Sequence, residues 1–313
     1  MKRAVRILIG VAVAVLMAIG CLAAVVHLAP ERVLRYALDV DRERAGLVAK
    51  RAELDGGVAY AYLEGGKGEP LILLHGFGAN KDSFTRAARY LTPHYRVVIP
   101  DLIGFGESSR PPGADYSPAA QAARLHQFAL ALGIKRVHLG GNSMGGHIAL
   151  AYAALHSTEV ASLWLLDPGG VRSAPPSELA REAVATGRNR LLVQDENDFV
   201  ELFAMTMHRP PFIPRPILRA LAEERIANYE LERAILAQVA ADSIEARVTG
   251  LATPALIVWG EEDRMLRVEA AHILHKLLPN SHVVIMPGVG HLPMVEYPKA
   301  SADEYLRFRA GLK

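Results

Sequence analysis

The segment Gly141-Asn142-Ser143-Met144-Gly145 follows a short β-rich run and opens a helical pattern. Strand, sharp turn, helix: that order puts a serine at the tip of the turn. The turn forces an unfavourable backbone conformation on the serine, and glycine two residues before and two after relieves the crowding. The hydroxyl is then held out of the sheet beside a helix N-terminus, where an anion is stabilised. Serine alone is a poor nucleophile and needs a base that a third group holds in place. Two later segments can supply both. Asp263 closes Trp259-Gly260-Glu261-Glu262-Asp263 at the end of one β-rich run, and His291 closes Gly288-Val289-Gly290-His291 at the end of the next. The chemistry expected is nucleophilic acyl transfer: Ser143 attacks, His291 takes and returns the proton, and Asp263 orients the imidazole. Asp167, directly after the run that ends at Leu166, is a rival acid. His272 and His275 fall at i and i+3 of one helical pattern without a further ligand, so a solvated helix face is expected there and no metal site.

A developing oxyanion needs backbone donors. Met144, the residue after the nucleophile, offers one amide. The turn His75-Gly76-Phe77-Gly78 offers the other through Phe77, with Gly76 letting the backbone approach the substrate. His75 is read first as a support beneath this turn. It is also kept as a substrate-lining candidate with Phe199, Phe203, Met205 and Met207. Those four cluster with Leu202 just before Arg209-Pro210-Pro211-Phe212-Ile213-Pro214. Flexible thioethers and aromatics suit an acyl chain of variable shape. The alternative is that they only pack their segment onto the rest of the chain.

These residues need a scaffold. Short apolar runs at 71–74, 96–99, 136–139, 161–166, 255–259 and 283–286 have the character of buried parallel strands. Helical patterns at 83–91, 117–132, 144–155, 268–278 and 298–308 separate them, which implies a doubly wound, mostly parallel α/β sheet. An alternating run at 58–64 precedes them and meets Gly65-Gly66-Lys67-Gly68, read as a hairpin turn. From 171 to 249 there is helical pattern and no convincing strand, read as a helical cap over the carboxyl edge of the sheet. The expected division is an anchor at 1–29, a juxtamembrane helix or linker at 30–54, a core formed by 55–170 with 250–313, and a cap at 171–249.

Lys2, Arg3 and Arg6 precede an apolar run at 7–29. As a helix it would span about 34 Å at ~1.5 Å per residue, against a hydrocarbon core of ~30 Å. A retained transmembrane helix is the leading reading. A lipoprotein signal at Ala18-Ile19-Gly20-Cys21 and a cleaved signal peptide are the alternatives. Basic residues ahead of the run favour a cytoplasmic N-terminus and a translocated catalytic part, although Arg32, Arg35, Arg42 and Arg44 lie on the other side. The expected location is the bacterial inner membrane, single-pass, with the catalytic domain periplasmic and with a homodimer through the N-terminal helices as a further option. Pro30 suits a helix start. Val33, Leu34, Ala37 and Leu38 then interrupt a heavily charged stretch, either an amphipathic helix at the interface or a solvated linker.

Length allows one large or two ordinary domains. Of 313 residues, 51% are hydrophobic and 22% charged, enough apolar content for a core. With 35 basic and 33 acidic side chains, the charge is too balanced to suggest nucleic acid. Cys21 is the single cysteine, so the remainder has no disulfide and no thiolate metal site.

Over roughly residues 54–313 the chain resembles the α/β-hydrolase superfamily. The residues carrying the likeness are His75-Gly76-Phe77-Gly78, Asp101-Leu102-Ile103-Gly104-Phe105-Gly106-Glu107-Ser108, Gly141 to Gly145, Asp263 and Gly290-His291. Within it the chain looks like membrane-anchored monoacylglycerol lipases and bacterial membrane-bound lipases and phospholipases A. That resemblance implies hydrolysis of carboxylic esters of lipids, release of fatty acid, no cofactor, and oxyanion donors at Phe77 and Met144. Ser143-Met144-Gly145-Gly146 with Asp167-Pro168-Gly169-Gly170 is also similar to the carbon–carbon bond hydrolases of aromatic ring-cleavage pathways. Leu292 stands where those enzymes commonly carry Trp, and a soluble-metabolite enzyme gives no reason for an anchor. A noncatalytic lipid-binding module on the same fold is the remaining class, and it would be expected to have lost a triad member.

Overall fold

The computed structural model describes residues 2–312. The apolar run forms α1 (Lys2–Leu28), in which Ile7–Leu28 has a mean hydropathy of 2.8 and no burial against the rest of the chain. The side chains of Lys2, Arg3 and Arg6, and that of Ile19 in the lipoprotein reading, lie outside the described residues. Pro30 then starts α2 (Pro30–Arg44), which packs on the helix Arg215–Ala227. An eight-stranded sheet follows, built of β1 (Leu47–Glu53), β2 (Ala59–Gly65), β3 (Pro70–Leu74), β4 (Arg96–Pro100), β5 (Val137–Asn142), β6 (Val160–Leu166), β7 (Ala255–Gly260) and β8 (Ser281–Met286). Its order is β1-β2-β4-β3-β5-β6-β7-β8. The first two strands run antiparallel to their neighbours, and every pair from β4 to β8 is parallel.

Helices α3 (Thr85–Leu91), α4 (Pro118–Ala131) and α5 (Met144–Leu155) connect the central strands. Five helices lie between β6 and β7: α6 (Glu178–Thr186), α7 (Glu196–Thr206), α8 (Arg215–Ala227), α9 (Tyr229–Ala241) and α10 (Glu245–Val248). The chain ends with α11 (Glu269–Leu277), α12 (Pro293–Glu296) and α13 (Pro298–Ala310). Strand side chains alternate between two apolar layers, as the period of two requires. Ile72, Leu74, Leu163 and Leu165 face α4, α5 and α11, whereas Leu71, Leu73, Trp164 and Leu166 face α3 and α13. On the second face Trp164 stacks on Tyr305 of α13, with ring centroids 5.1 Å apart.

The α/β-hydrolase fold expected from the sequence is the one observed, with two local differences. Residues 30–54 are neither all helix nor linker, because Leu47–Glu53 is the edge strand β1, paired to β2 along its length. Its residues Val48 to Arg51 are exposed and it carries Lys50, Arg51 and Glu53. A strand wet on both faces shows no apolar alternation, and its charges discourage pairing with another chain. The turn at Gly65 to Gly68 is not a hairpin. Strand β4 lies between β2 and β3, and the turn packs instead on the loop before β4, where a Cβ on Gly66 would fall 2.2 Å from the carbonyl oxygen of Tyr95.

Candidate active site

Ser143 sits between β5 and α5 with φ 54° and ψ −118°, a left-handed conformation that only one other non-glycine residue, Asp167, shares in sign among the described residues. The flanking glycines are needed for contact. A Cβ on Gly141 would lie 2.4 Å from the backbone of Gly145, and one on Gly145 would lie 2.2 Å from the Leu74 carbonyl oxygen. The strain is held by neighbouring backbone. The Ser143 amide donates to Leu166 at 3.0 Å, and its carbonyl accepts from Gly169 at 2.9 Å. Asn142 adds a brace, because its Nδ2 donates to the carbonyls of both Leu166 and His291, at 3.1 and 2.9 Å.

The loop after β7 carries Asp263 and the loop after β8 carries His291. His291 Nδ1 lies 2.7 Å from Asp263 Oδ2, and both side chains are buried. Asp263 Oδ1 accepts the amides of Met265 and Leu266 at 2.7 and 3.0 Å, so the carboxylate is fixed from both ends. An Nδ1–H donating to Asp263 leaves Nε2 as the basic nitrogen of His291. His291 and Ser143 line the same cavity. The two loops touch tightly: a Cβ on Gly260 would lie 2.0 Å from the Gly290 carbonyl oxygen. The end of α7 also holds the histidine loop, since the His291 amide donates to Thr206 at 2.9 Å.

Asp167, the rival acid, is wholly buried and accepts the Gly260 amide at 2.9 Å through Oδ1, while Oδ2 has no partner among the described residues. Burial, and then the neighbouring charge of Asp263, pushes its carboxyl well above the usual carboxylate range.

At the oxyanion turn, Gly76 passes so close to the elbow that a Cβ there would fall 3.3 Å from Ser143 Cβ. His75 lies beneath, fully buried, with Nδ1 donating to the Gly76 carbonyl at 2.8 Å and Nε2 accepting the Leu102 amide at 2.9 Å. Burial holds its pKa below the ordinary imidazole value, consistent with that neutral tautomer. Asp101 anchors the adjoining loop, accepting from the Lys81 ammonium and the Glu107 amide at 2.7 and 2.8 Å. The amides of Phe77 and Met144 have no acceptor among the described residues. Both are free to donate to a ligand, Met144 because it opens α5.

A cavity of about 830 Å³ opens above Ser143. Of the five lining candidates, it takes in Phe199 and Phe203. The other three are corrections. His75 is below the turn with both ring nitrogens engaged. Met205 is packed with Leu179, Leu202 and Met265, and Met207 is buried with its backbone against Gly290. Along α7 the helical period turns Phe199 and Phe203 to the cavity and Met205 into the cap. Composition alone did not separate these faces. The cavity also has a wall that the chemistry-bearing motifs did not indicate, formed by Leu34, Arg35, Leu38 and Arg42 of α2. The available signal was the i, i+4 spacing of Leu34 and Leu38. Asn142, at a variable position of the elbow, gave none.

Comparison with known proteins agrees with this geometry. The family profile for the alpha/beta hydrolase fold matches residues 69–298. Lipase 1 of Psychrobacter immobilis is 42% identical over 290 residues, covering 90% of this chain and 89% of its own. A monoacylglycerol lipase of Mus musculus is 29% identical over 254 residues, 77% of this chain and 76% of its own. The crystal structure of a membrane phospholipase A, described as a bacterial virulence factor, superposes with a TM-score of 0.87 at 40% identity over 99% of both chains. Sheet order, serine elbow and profile match lead to one conclusion: the chain belongs to the α/β-hydrolase fold family.

Proposed function

We propose that this protein is a membrane-anchored serine hydrolase that cleaves carboxylic esters of lipids, of the phospholipase A, lysophospholipase or monoacylglycerol lipase type. The observation that carries the reading is the cavity above Ser143, walled on one side by cap residues Phe199, Leu202 and Phe203 and on the other by Leu34 and Leu38 of α2. α2 begins two residues after α1 ends, so an acyl chain drawn from a bilayer meets an apolar path to the serine. The names of the similar lipases and phospholipase support the same substrate class.

In this reading Ser143 Oγ gives its proton to His291 Nε2 and attacks the ester carbonyl. The tetrahedral oxyanion receives the amides of Phe77 and Met144. Collapse breaks the ester C–O bond, and His291 returns the proton to the leaving alcohol. Water, deprotonated by His291, then releases the fatty acid and regenerates Ser143. Asp263 keeps the imidazole in the required tautomer throughout. No metal or cofactor takes part.

α1 would hold the enzyme in the bacterial inner membrane, N-terminus cytoplasmic and catalytic body periplasmic, supported by the basic residues ahead of the apolar run. Its exposed apolar surface would serve lipid contact and pairing with a second copy equally well.

The test offers purified protein glycerophospholipids, lysophospholipids, monoacylglycerols and p-nitrophenyl esters of graded length, with Ser143→Ala as control. Lipid esters should turn over, and Ser143→Ala should lose both turnover and fluorophosphonate labelling while remaining folded. Faster turnover of an aromatic ring-cleavage product than of every ester would put carbon–carbon hydrolysis first. A folded wild-type protein with neither turnover nor labelling would leave a binding module.

A further inference from the structure

One side chain of the cap reaches the oxyanion turn. Arg225 lies in the last turn of α8 and is only 6% exposed. Its Nε donates to both carboxylate oxygens of Glu232 on α9, at 2.7 and 2.9 Å, and its Nη2 donates to the Leu191 carbonyl at 2.6 Å. These bonds fix the guanidinium against the backbone of Gly78. A Cβ on Gly78 would fall 2.1 Å from Arg225 Cζ and 2.4 Å from Nη1 and Nη2. Gly78 itself has φ 66°, so the position requires glycine for conformation as well as for space. The Arg225 guanidinium is also 5.5 Å from the centroid of the Phe77 ring. Phe77 meets Phe105 edge-on at 5.6 Å, so its ring has the guanidinium and Phe105 as neighbours.

Stability gives little reason for this arrangement. Two charges are taken out of water, and a well-packed apolar pair of similar size often does as well or better. Burial pushes the Glu232 carboxyl above its ordinary range even with Arg225 bonded to it. Besides its bond to the Leu191 carbonyl, the pair does one thing that an apolar pair would not: it holds a planar, multiply bonded group against the turn.

We propose that Arg225 is a positioning residue for the oxyanion turn, holding Phe77-Gly78 so that the Phe77 amide points into the site, and so making turnover depend on the seating of the cap. This rests on the acyl-transfer reading of Ser143. Arg225 acts through Phe77 and makes no bond to the reacting atoms. Losing an oxyanion donor outright costs about 10²–10³ in kcat, so loosening one should cost about 10- to 100-fold.

Removing Arg225 alone leaves Glu232 buried and unpaired, and that variant can fail to fold for this reason alone. The decisive variant is therefore Arg225→Met with Glu232→Leu, which removes both charges and keeps the volume. Arg219→Gln on the exposed face of the same helix is the control. Each is assayed for melting temperature, for kcat and KM on a short p-nitrophenyl ester, and for the rate of fluorophosphonate labelling. The double variant should melt near the wild type, lose kcat about 10- to 100-fold at nearly unchanged KM, and label more slowly in the same proportion. Arg219→Gln should match the wild type. Wild-type kcat in the folded double variant overturns the proposal, as does a raised KM at unchanged kcat. A lowered melting temperature with the kcat per folded molecule intact overturns it too, because it means the pair is only structural. Wild-type protein that neither turns over nor labels would instead defeat the acyl-transfer reading, so the two failures are distinct.

Discussion

Asp167 and Asp263 face each other across the ends of β6 and β7, with a carboxylate oxygen of each and a ring nitrogen of His291 all within 4.8 Å. Only Asp263 holds the imidazole, at 2.7 Å. Burial and the neighbouring charge of Asp263 push the Asp167 carboxyl well above the usual carboxylate range. In the proposed mechanism the acid role is therefore given to Asp263. Asp263→Asn should lower kcat/KM on a short ester by about 10⁴, the size seen when the orienting carboxylate of a serine-protease triad is lost. Asp167→Asn should stay within about tenfold of the wild type, because an amide can still accept from Gly260. The reverse ranking would transfer the role to Asp167.

The same proton has a consequence for stability. The folded protein keeps it on Asp167 over a range where an unfolded carboxyl has already lost it. At this group the folded state then binds more protons than the unfolded one, and its contribution to stability falls as pH rises from the unfolded carboxylate pKa of ~4 toward the raised folded value. Asp167→Asn has no proton to lose. The difference in urea midpoint, Asp167→Asn minus wild type, should therefore grow as pH rises from 5 to 9. A difference that stays constant with pH would mean that Asp167 is already ionised across that range.

The placement of the three residues of the proposed triad was legible because each follows a β-rich run, and the end of a strand is a place that sequence can mark. Ser143, Asp263 and His291 come together because β5, β7 and β8 are parallel and end on one edge of the sheet. The lining of the cavity was legible only in part. Phe199 and Phe203 differ from Met205 by which face of α7 they occupy, and that depends on where the cap docks. β1 was hidden because an exposed edge strand has no apolar alternation to read. Arg225 was hidden for another reason: its partners Gly78, Leu191 and Glu232 come from three separate segments, and only the tertiary fold brings them to one point.

At acid pH a different pair is expected to fail. His147, on the first turns of α5 just past Ser143, is buried with Nε2 2.7 Å from a carboxylate oxygen of Asp242 at the end of α9. Burial outweighs that carboxylate and lowers its pKa to about 4. Below the ordinary imidazole value of ~6.5 the unfolded chain takes up a proton that the folded chain refuses, so stability is lost as pH falls from ~6.5 toward 4. The wild type should have a lower melting temperature at pH 5 than at pH 7, and His147→Gln should narrow that difference. An unchanged difference would show that other groups dominate acid unfolding.

The last expectation separates the proposed anchor from the wall of the cavity. The described side chains of the apolar run in α1 are largely exposed, whereas α2 lines the cavity and is tied to the body by Arg42, whose Nε and Nη2 each lie 2.7 Å from a carboxylate oxygen of Asp82. Removing residues 1–29 should take away membrane attachment and leave that wall in place. Hydrolysis of a short soluble ester should then be nearly unchanged, because Ser143, Asp263 and His291 are held by the sheet. Hydrolysis of phospholipid in vesicles should fall at least tenfold, because anchoring raises the local concentration of enzyme at its substrate by a factor within the ~10²–10⁴ range of tethered systems. Removing residues 1–44 takes Leu34, Leu38 and Arg42 as well. That variant should lose activity on monomeric long-chain monoacylglycerol, which needs the apolar wall, while the variant lacking only 1–29 keeps it. Equal loss on short ester and vesicle by the shorter truncation would mean that α1 serves folding. Equal behaviour of the two truncations on long-chain monoacylglycerol would mean that α2 contributes nothing to acyl binding.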